Sequence, residues 1–128
     1  MTVTQERRAP TQRPTSEQAW MKRLSIAWAM TIAGIVLFEP VPTNADAAEP
    51  WWAVAAGITF LATLGAITIT AIRRHRAFFP ISAFAGGLGM VLAYACLASG
   101  HHLGAWWLIE LSAFAGLAAM SIAADRSR

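Results

Sequence analysis

Glu110 is the only acidic residue of this chain inside an apolar stretch: in LGAWWLIELSAFAGL, from Leu103 to Leu117, it carries the single charge. A carboxylate held at membrane depth costs about 2.5–3.5 kcal/mol on insertion scales, and ionisable groups at such depth mark proton or ion paths or partner contacts. Glu110 is therefore the candidate for proton binding or for docking a partner. On a helical wheel it points about 150° away from Ser112 and the small residues that follow it, at about 100° per residue. Its own face carries Trp106, Leu117 and Ser121, flanked by Trp107 and Phe114. That placement predicts a carboxyl turned outward, toward lipid or a second protein.

The other residues that could do chemistry are thinly spread. His101 and His102 are a candidate metal pair, and Glu39, Asp46 and Glu49 fall on the same side of the chain. Adjacent histidines project in different directions, and a closed zinc or copper site wants three or four converging ligands, so an interfacial turn is the plainer reading. His75, within RRHR, reads as a headgroup contact. Cys96 is the only cysteine and can form no intrachain disulfide; Tyr94 and Cys96 read as packing residues. There is no Ser/His/Asp set in a supporting motif, no glycine-rich phosphate loop, no paired acids within a stretch and no Cys-x-x-Cys. Haem would need a histidine among the apolar stretches, and none lies there. The expectation is a protein without enzymatic activity and without a cofactor.

The elements that must position Glu110 follow from the charge pattern. At 128 residues there is room for one domain, and 56% apolar with 13% charged residues is far from the usual quarter charged of soluble domains. Four apolar stretches are predicted as membrane spans, at about 20–38, 51–72, 78–99 and 103–124, each near the roughly 20 residues a crossing helix needs. Arg7, Arg8, Arg13, Lys22 and Arg23 precede the first, Arg73, Arg74 and Arg76 separate the second from the third, and Arg126 and Arg128 follow the fourth. The other two connections hold no basic residue. Basic loops stay cytoplasmic, so both termini are expected inside. The fold class is thus all-α integral membrane: a compact antiparallel four-helix transmembrane bundle, N-in and C-in. Nine Arg against one Lys, with abundant Ala, suggests a bacterial origin and hence the plasma membrane.

A net charge of +3 does not imply nucleic acid, because the charges edge the spans and form no basic face with interleaved aromatics. Arg73, Arg74 and Arg76 are membrane-surface residues, worth about 1 kcal/mol each against anionic headgroups. Residues 1–15 are polar, with two prolines and no apolar period, and read as a disordered cytoplasmic tail; Ser16 with Glu17 and Gln18 could start the first helix. EPVPTNADAAEP, 39–50, is an extracytoplasmic loop. Trp51, Trp52, Trp106 and Trp107 form an outer anchoring band. Pro80 fits the first turn of the third helix, and Gly100 is placed to end it.

In lipid, helices associate through close backbone approach and interhelical hydrogen bonds. Small residues at four-three spacing mark the expected packing faces: Ser82, Gly86, Gly89, Ala93, Cys96 and Gly100 on the third span, and Ser112, Gly116, Ala119 and Ala123 on the fourth. Ala27, Thr31 and Gly34 serve the first; Ala56, Thr59, Thr63, Ala66 and Thr70 serve the second, their hydroxyls free to bond their own i−4 carbonyls or a neighbour. Such seams argue against a wide channel. The third and fourth spans share SAFAGGLGM and SAFAGLAAM, read as a chance of composition more than a duplication.

A second reading treats MKRLSIAWAMTIAGIVLF as a secretory signal cut near Ala45-Asp46-Ala47, which would remove residues 1–47 and leave three spans. For function, the first expectation is an accessory subunit or assembly partner docking through the fourth helix. The second is an oligomeric small transporter or proton-coupled carrier using Glu110. The third and weakest is a metal-handling protein using His101 and His102. The expected partners are the bilayer and another membrane protein or a second copy, with no nucleic acid.

Overall fold

The computed structural model describes residues 16–40, 51–100 and 104–127. Four helices form: α1 Ser16–Phe38, α2 Trp51–Ile72, α3 Phe78–Ser99 and α4 Trp106–Arg126. Each is long and apolar enough to cross a membrane, so the chain is built as a multi-pass membrane protein. At 1.5 Å per residue they reach about 30 Å, the thickness of the hydrocarbon core. The bounds of α2 and α3 are those expected from sequence. α1 begins earlier, at Ser16, and α4 later, at Trp106. The 1–15 tail and most of the 39–50 loop lie outside the described residues.

Backbone hydrogen bonds explain where the helices stop. Gly100 takes the left-handed conformation (φ 64°) and its N–H bonds the carbonyls of Cys96 and Leu97, ending α3 as its position suggested. At the end of α2 the left-handed residue is not glycine but Arg74 (φ 50°). The Arg74 N–H bonds Ala71 O at 3.1 Å and the His75 N–H bonds Thr70 O at 2.9 Å, the paired bonds of a Schellman turn. A side chain there costs roughly 1 kcal/mol or more relative to glycine. His75 then accepts the Ala77 N–H at Nδ1, 3.1 Å, which shapes the turn into α3.

α3 and α4 make the most extensive contact, and its register is legible residue by residue. Ser82 meets Ser121; a Cβ on Gly86 would lie 2.9 Å from the Ala118 Cβ and the Phe114 carbonyl; a Cβ on Gly89 would run into the Phe114 ring. Numbers rise along α3 as they fall along α4, so the two helices are antiparallel. Ser82, Gly86, Gly89 and Ala93 are all buried in this interface.

On α4 the packing face differs from the expected one. Ser112, Gly116, Ala119 and Ala123 are exposed, and nothing lies within 4 Å of where a Gly116 Cβ would stand. The buried face is Glu110, Phe114, Leu117, Ala118, Ser121 and Ala124. The reason is volume: the shallow dish that Gly86 and Gly89 leave on α3 takes a bulky knob, and the Phe114 ring fills it. The shared segment is likewise used in opposite senses. Phe84 is 56% exposed where Phe114 is 5% exposed, and Ser82 is buried where Ser112 is not.

α1 joins this hairpin through Trp28, whose ring lies 6.1 Å from Phe114 and 6.2 Å from Phe60 of α2. Phe60 meets Phe114 edge-on at 5.5 Å. α2 packs against α3 and buries Phe60 and Ile67. Its hydroxyls stay within the helix: Thr59 donates to Ala55 O, Thr63 to Phe60 O, Thr70 to Ala66 O. Lys22 and Arg74 line one cleft between α1 and α2, whereas Glu39 and Glu110 line a cleft at the opposite end of the bundle. The charge sorting read from the sequence is therefore a sorting along the bundle axis.

Candidate functional site

Glu110 occupies the second turn of α4 and is only 6% exposed. The expectation that it faces outward is overturned. The wheel took the small-residue face as the inside, and α4 packs with the other face. Trp106, one turn earlier, donates its Nε1–H to Glu110 Oε1 at 3.0 Å. Trp106 is thus more than an interfacial anchor, while Trp51, 81% exposed, has the placement of one.

Glu110 lines two clefts. One, of about 310 Å³, lies between α1 and α4 and is lined by Thr31, Gly34, Ile35, Phe38, Trp106 and Glu110. The other, of about 270 Å³, reaches α2 and α3 and is lined among others by Glu39, Phe60, Ala93, Cys96, Glu110 and Phe114. Glu39 follows the last residue of α1 and is exposed, so an acid at the mouth and an acid at depth share one space. Apart from these two carboxylates and the Cys96 thiol, the walls of this second cleft are hydrocarbon. The two carboxyl groups are the strong oxygen acceptors on these walls.

Toward the basic end α3 begins with a buried aromatic pair. Phe78 and Phe79 stack edge-on at 5.4 Å and are fully buried. Above them runs a hydrogen-bond chain: Trp28 Nε1–H donates to Ser82 Oγ at 2.7 Å, Ser82 Oγ and Ser121 Oγ lie 2.7 Å apart, and Ser121 donates to Leu117 O at 2.7 Å. Counting protons fixes its direction. Indole can only donate and each hydroxyl has one hydrogen, so Ser82 donates to Ser121. Every donor is used, which is what a polar group buried in hydrocarbon requires. Sequence reasoning missed this chain, although a signal for it existed: Trp28 lies in mid-span, where an indole N–H must find an acceptor.

The remaining candidates are dispersed. Arg73, Arg74 and Arg76 are exposed at the α2–α3 turn, and His75 beside them serves that turn's backbone. Tyr94, expected to pack, is exposed. Cys96, in no disulfide, is half-buried and lines the Glu110 cleft. His101, His102, Asp46 and Glu49 lie outside the described residues; among the described residues no group of three or more potential ligands converges. No protein-family model, curated protein or solved structure matches the chain.

Proposed function

We propose that this chain is a small, non-enzymatic membrane carrier in which Glu110 takes up a proton or small cation from the Glu39 end of the bundle. The observation that carries this reading is the burial of Glu110 beside two clefts, one of which also holds Glu39. A carboxyl at membrane depth is costly to keep, and a cleft leading to it gives the cost a use. The Trp106 N–H holds one carboxyl oxygen of Glu110 in place. The buried Phe78–Phe79 pair and the Trp28–Ser82–Ser121 chain fill the interior between Glu110 and the basic end, which supports uptake from the Glu39 end. By the sorting of positive charge, the basic end faces the cytoplasm of a bacterial plasma membrane and Glu39 faces outward.

The test is proton flux in proteoliposomes holding the full chain, driven by an imposed membrane potential. Flux that Glu110→Gln abolishes, with the protein still folded, supports the reading; unchanged flux in Glu110→Gln removes it.

A second reading, an accessory subunit or self-associating assembly partner, has its own observation. Ser112, Gly116 and Ala119 leave an exposed strip on α4 with open space at Gly116, suited to close approach of another helix. Gly116→Phe should then release a partner that co-purifies in mild detergent. A partner retained by Gly116→Phe excludes this face.

A further inference from the structure

We propose that the groove between α1 and α2 is a binding site for an anionic phospholipid, its phosphate on Lys22 and Arg74 and one acyl chain laid between Ser25 and Leu64. Two adjoining clefts, of about 390 and 410 Å³, make up this groove and share Ser25 and Ala71 on their walls. The first holds Lys22 and Arg74 together with Gln18 and Ser25. The second is walled by Ile32, Leu64, Ile67 and Ile72, with Trp28 at its floor. Polar and cationic groups thus stand at one end and hydrocarbon fills the rest, the profile of a headgroup and its tail. From Arg74, just past the end of α2, back to Leu64 is ten residues, roughly 15 Å at helical rise, which is half the hydrocarbon thickness and so the reach of one acyl chain in one leaflet.

Arg74 supplies a second, independent observation. It holds the left-handed position of the α2 Schellman turn, where glycine is the unstrained choice. Strained backbone is retained where a side chain is needed in place. The arginine at that position lines the charged mouth of the groove. Its basic neighbour on α1, Arg23, is instead held over the Trp20 ring at 5.6 Å, which leaves Lys22 as the α1 cation of the site. α1 and α2 touch only sparingly, so a chain lying between them closes a gap that side chains leave open. A peptide occupant would bring backbone N–H and C=O groups into a groove whose deeper walls offer them almost nothing; an acyl chain brings none.

The full chain, reconstituted in nanodiscs of phosphatidylcholine containing a minority of phosphatidylglycerol, tests this by native mass spectrometry after detergent release. Retention of one phosphatidylglycerol per chain, in preference to phosphatidylcholine, is expected. Arg74→Gly and Lys22→Gln should each lower that retention about fivefold, and Leu64→Trp should block it by filling the groove. Arg74→Gly should do so while raising the thermal midpoint, because glycine relieves the turn. Excess inorganic phosphate should leave the lipid in place. Equal retention of the two lipids, retention untouched by Arg74→Gly, or displacement by phosphate overturns the proposal. Glu110→Gln should keep the lipid, so this result is independent of the carrier reading.

Discussion

The hydroxyl oxygens of Ser82 and Ser121 lie 2.7 Å apart at the centre of a directional chain from the Trp28 indole on α1 to the Leu117 carbonyl on α4. Three helices are tied by two interhelical bonds, and the direction makes the two serines unequal. Ser82→Ala strips the Trp28 N–H of its acceptor in a water-free core. Ser121→Ala leaves that bond intact and lets Ser82 turn to a carbonyl of its own helix. Ser82→Ala is expected to cost about 1–2 kcal/mol and Ser121→Ala roughly half as much. Unfolding titrations in mixed detergent micelles measure both; equal costs would show that the Trp28 N–H does not depend on Ser82 as its acceptor.

Gly89 and Gly87 are two residues apart on α3 and meet different surroundings. A methyl group on Gly89 would enter the Phe114 ring, whereas nothing lies within 4 Å of that on Gly87. Gly89→Ala is expected to destabilise by about 1–3 kcal/mol through overpacking. Gly87→Ala should stabilise by about 0.5–1 kcal/mol through helix propensity. The same titration decides; a neutral Gly89→Ala would contradict the register of α3 on α4.

Glu110 should be dispensable for folding. Glu110→Leu replaces a carboxyl at membrane depth by hydrocarbon of similar size, and a gain of about 1 kcal/mol or more is expected. Proton flux should vanish in the same variant. Loss of stability together with loss of flux would instead make the carboxyl a structural hub.

Topology is open to labelling. In a Cys96→Ser background, Glu39→Cys is expected to react with a membrane-impermeant maleimide on intact cells, and Arg73→Cys only after lysis. The reverse pattern would invert the orientation drawn from the basic loops.

A chain shortened to residues 48–128, the form left by signal cleavage, should lose its uniform species in detergent. α1 contributes Met21, Leu24 and Trp28 to the core, and without Trp28 the Phe60–Phe114 contact opens to lipid. A well-behaved shortened protein, observed by size-exclusion chromatography, would show that α1 is not integral to the bundle.

The spans were legible in the sequence because hydrocarbon thickness sets their length, and the α3 seam because Gly86 and Gly89 can serve only close approach. The packing face of α4 was not. Small residues announce where a backbone may come near, yet whether they meet another small face or a large knob depends on the helix opposite. Phe114 opposite Gly89 decided that, and with it the burial of Glu110. The Trp28–Ser82–Ser121 chain joins residues 54 and 39 positions apart, a pairing no local pattern encodes.

The unequal grip between neighbours has a mechanical consequence. Pulled from its amino terminus out of a bilayer by a cantilever, the molecule should yield in steps. α1 leaves first, at low force, once a lone indole bond and its ring contacts give way. The glycine-dished hairpin of α3 and α4 resists longest and comes out last.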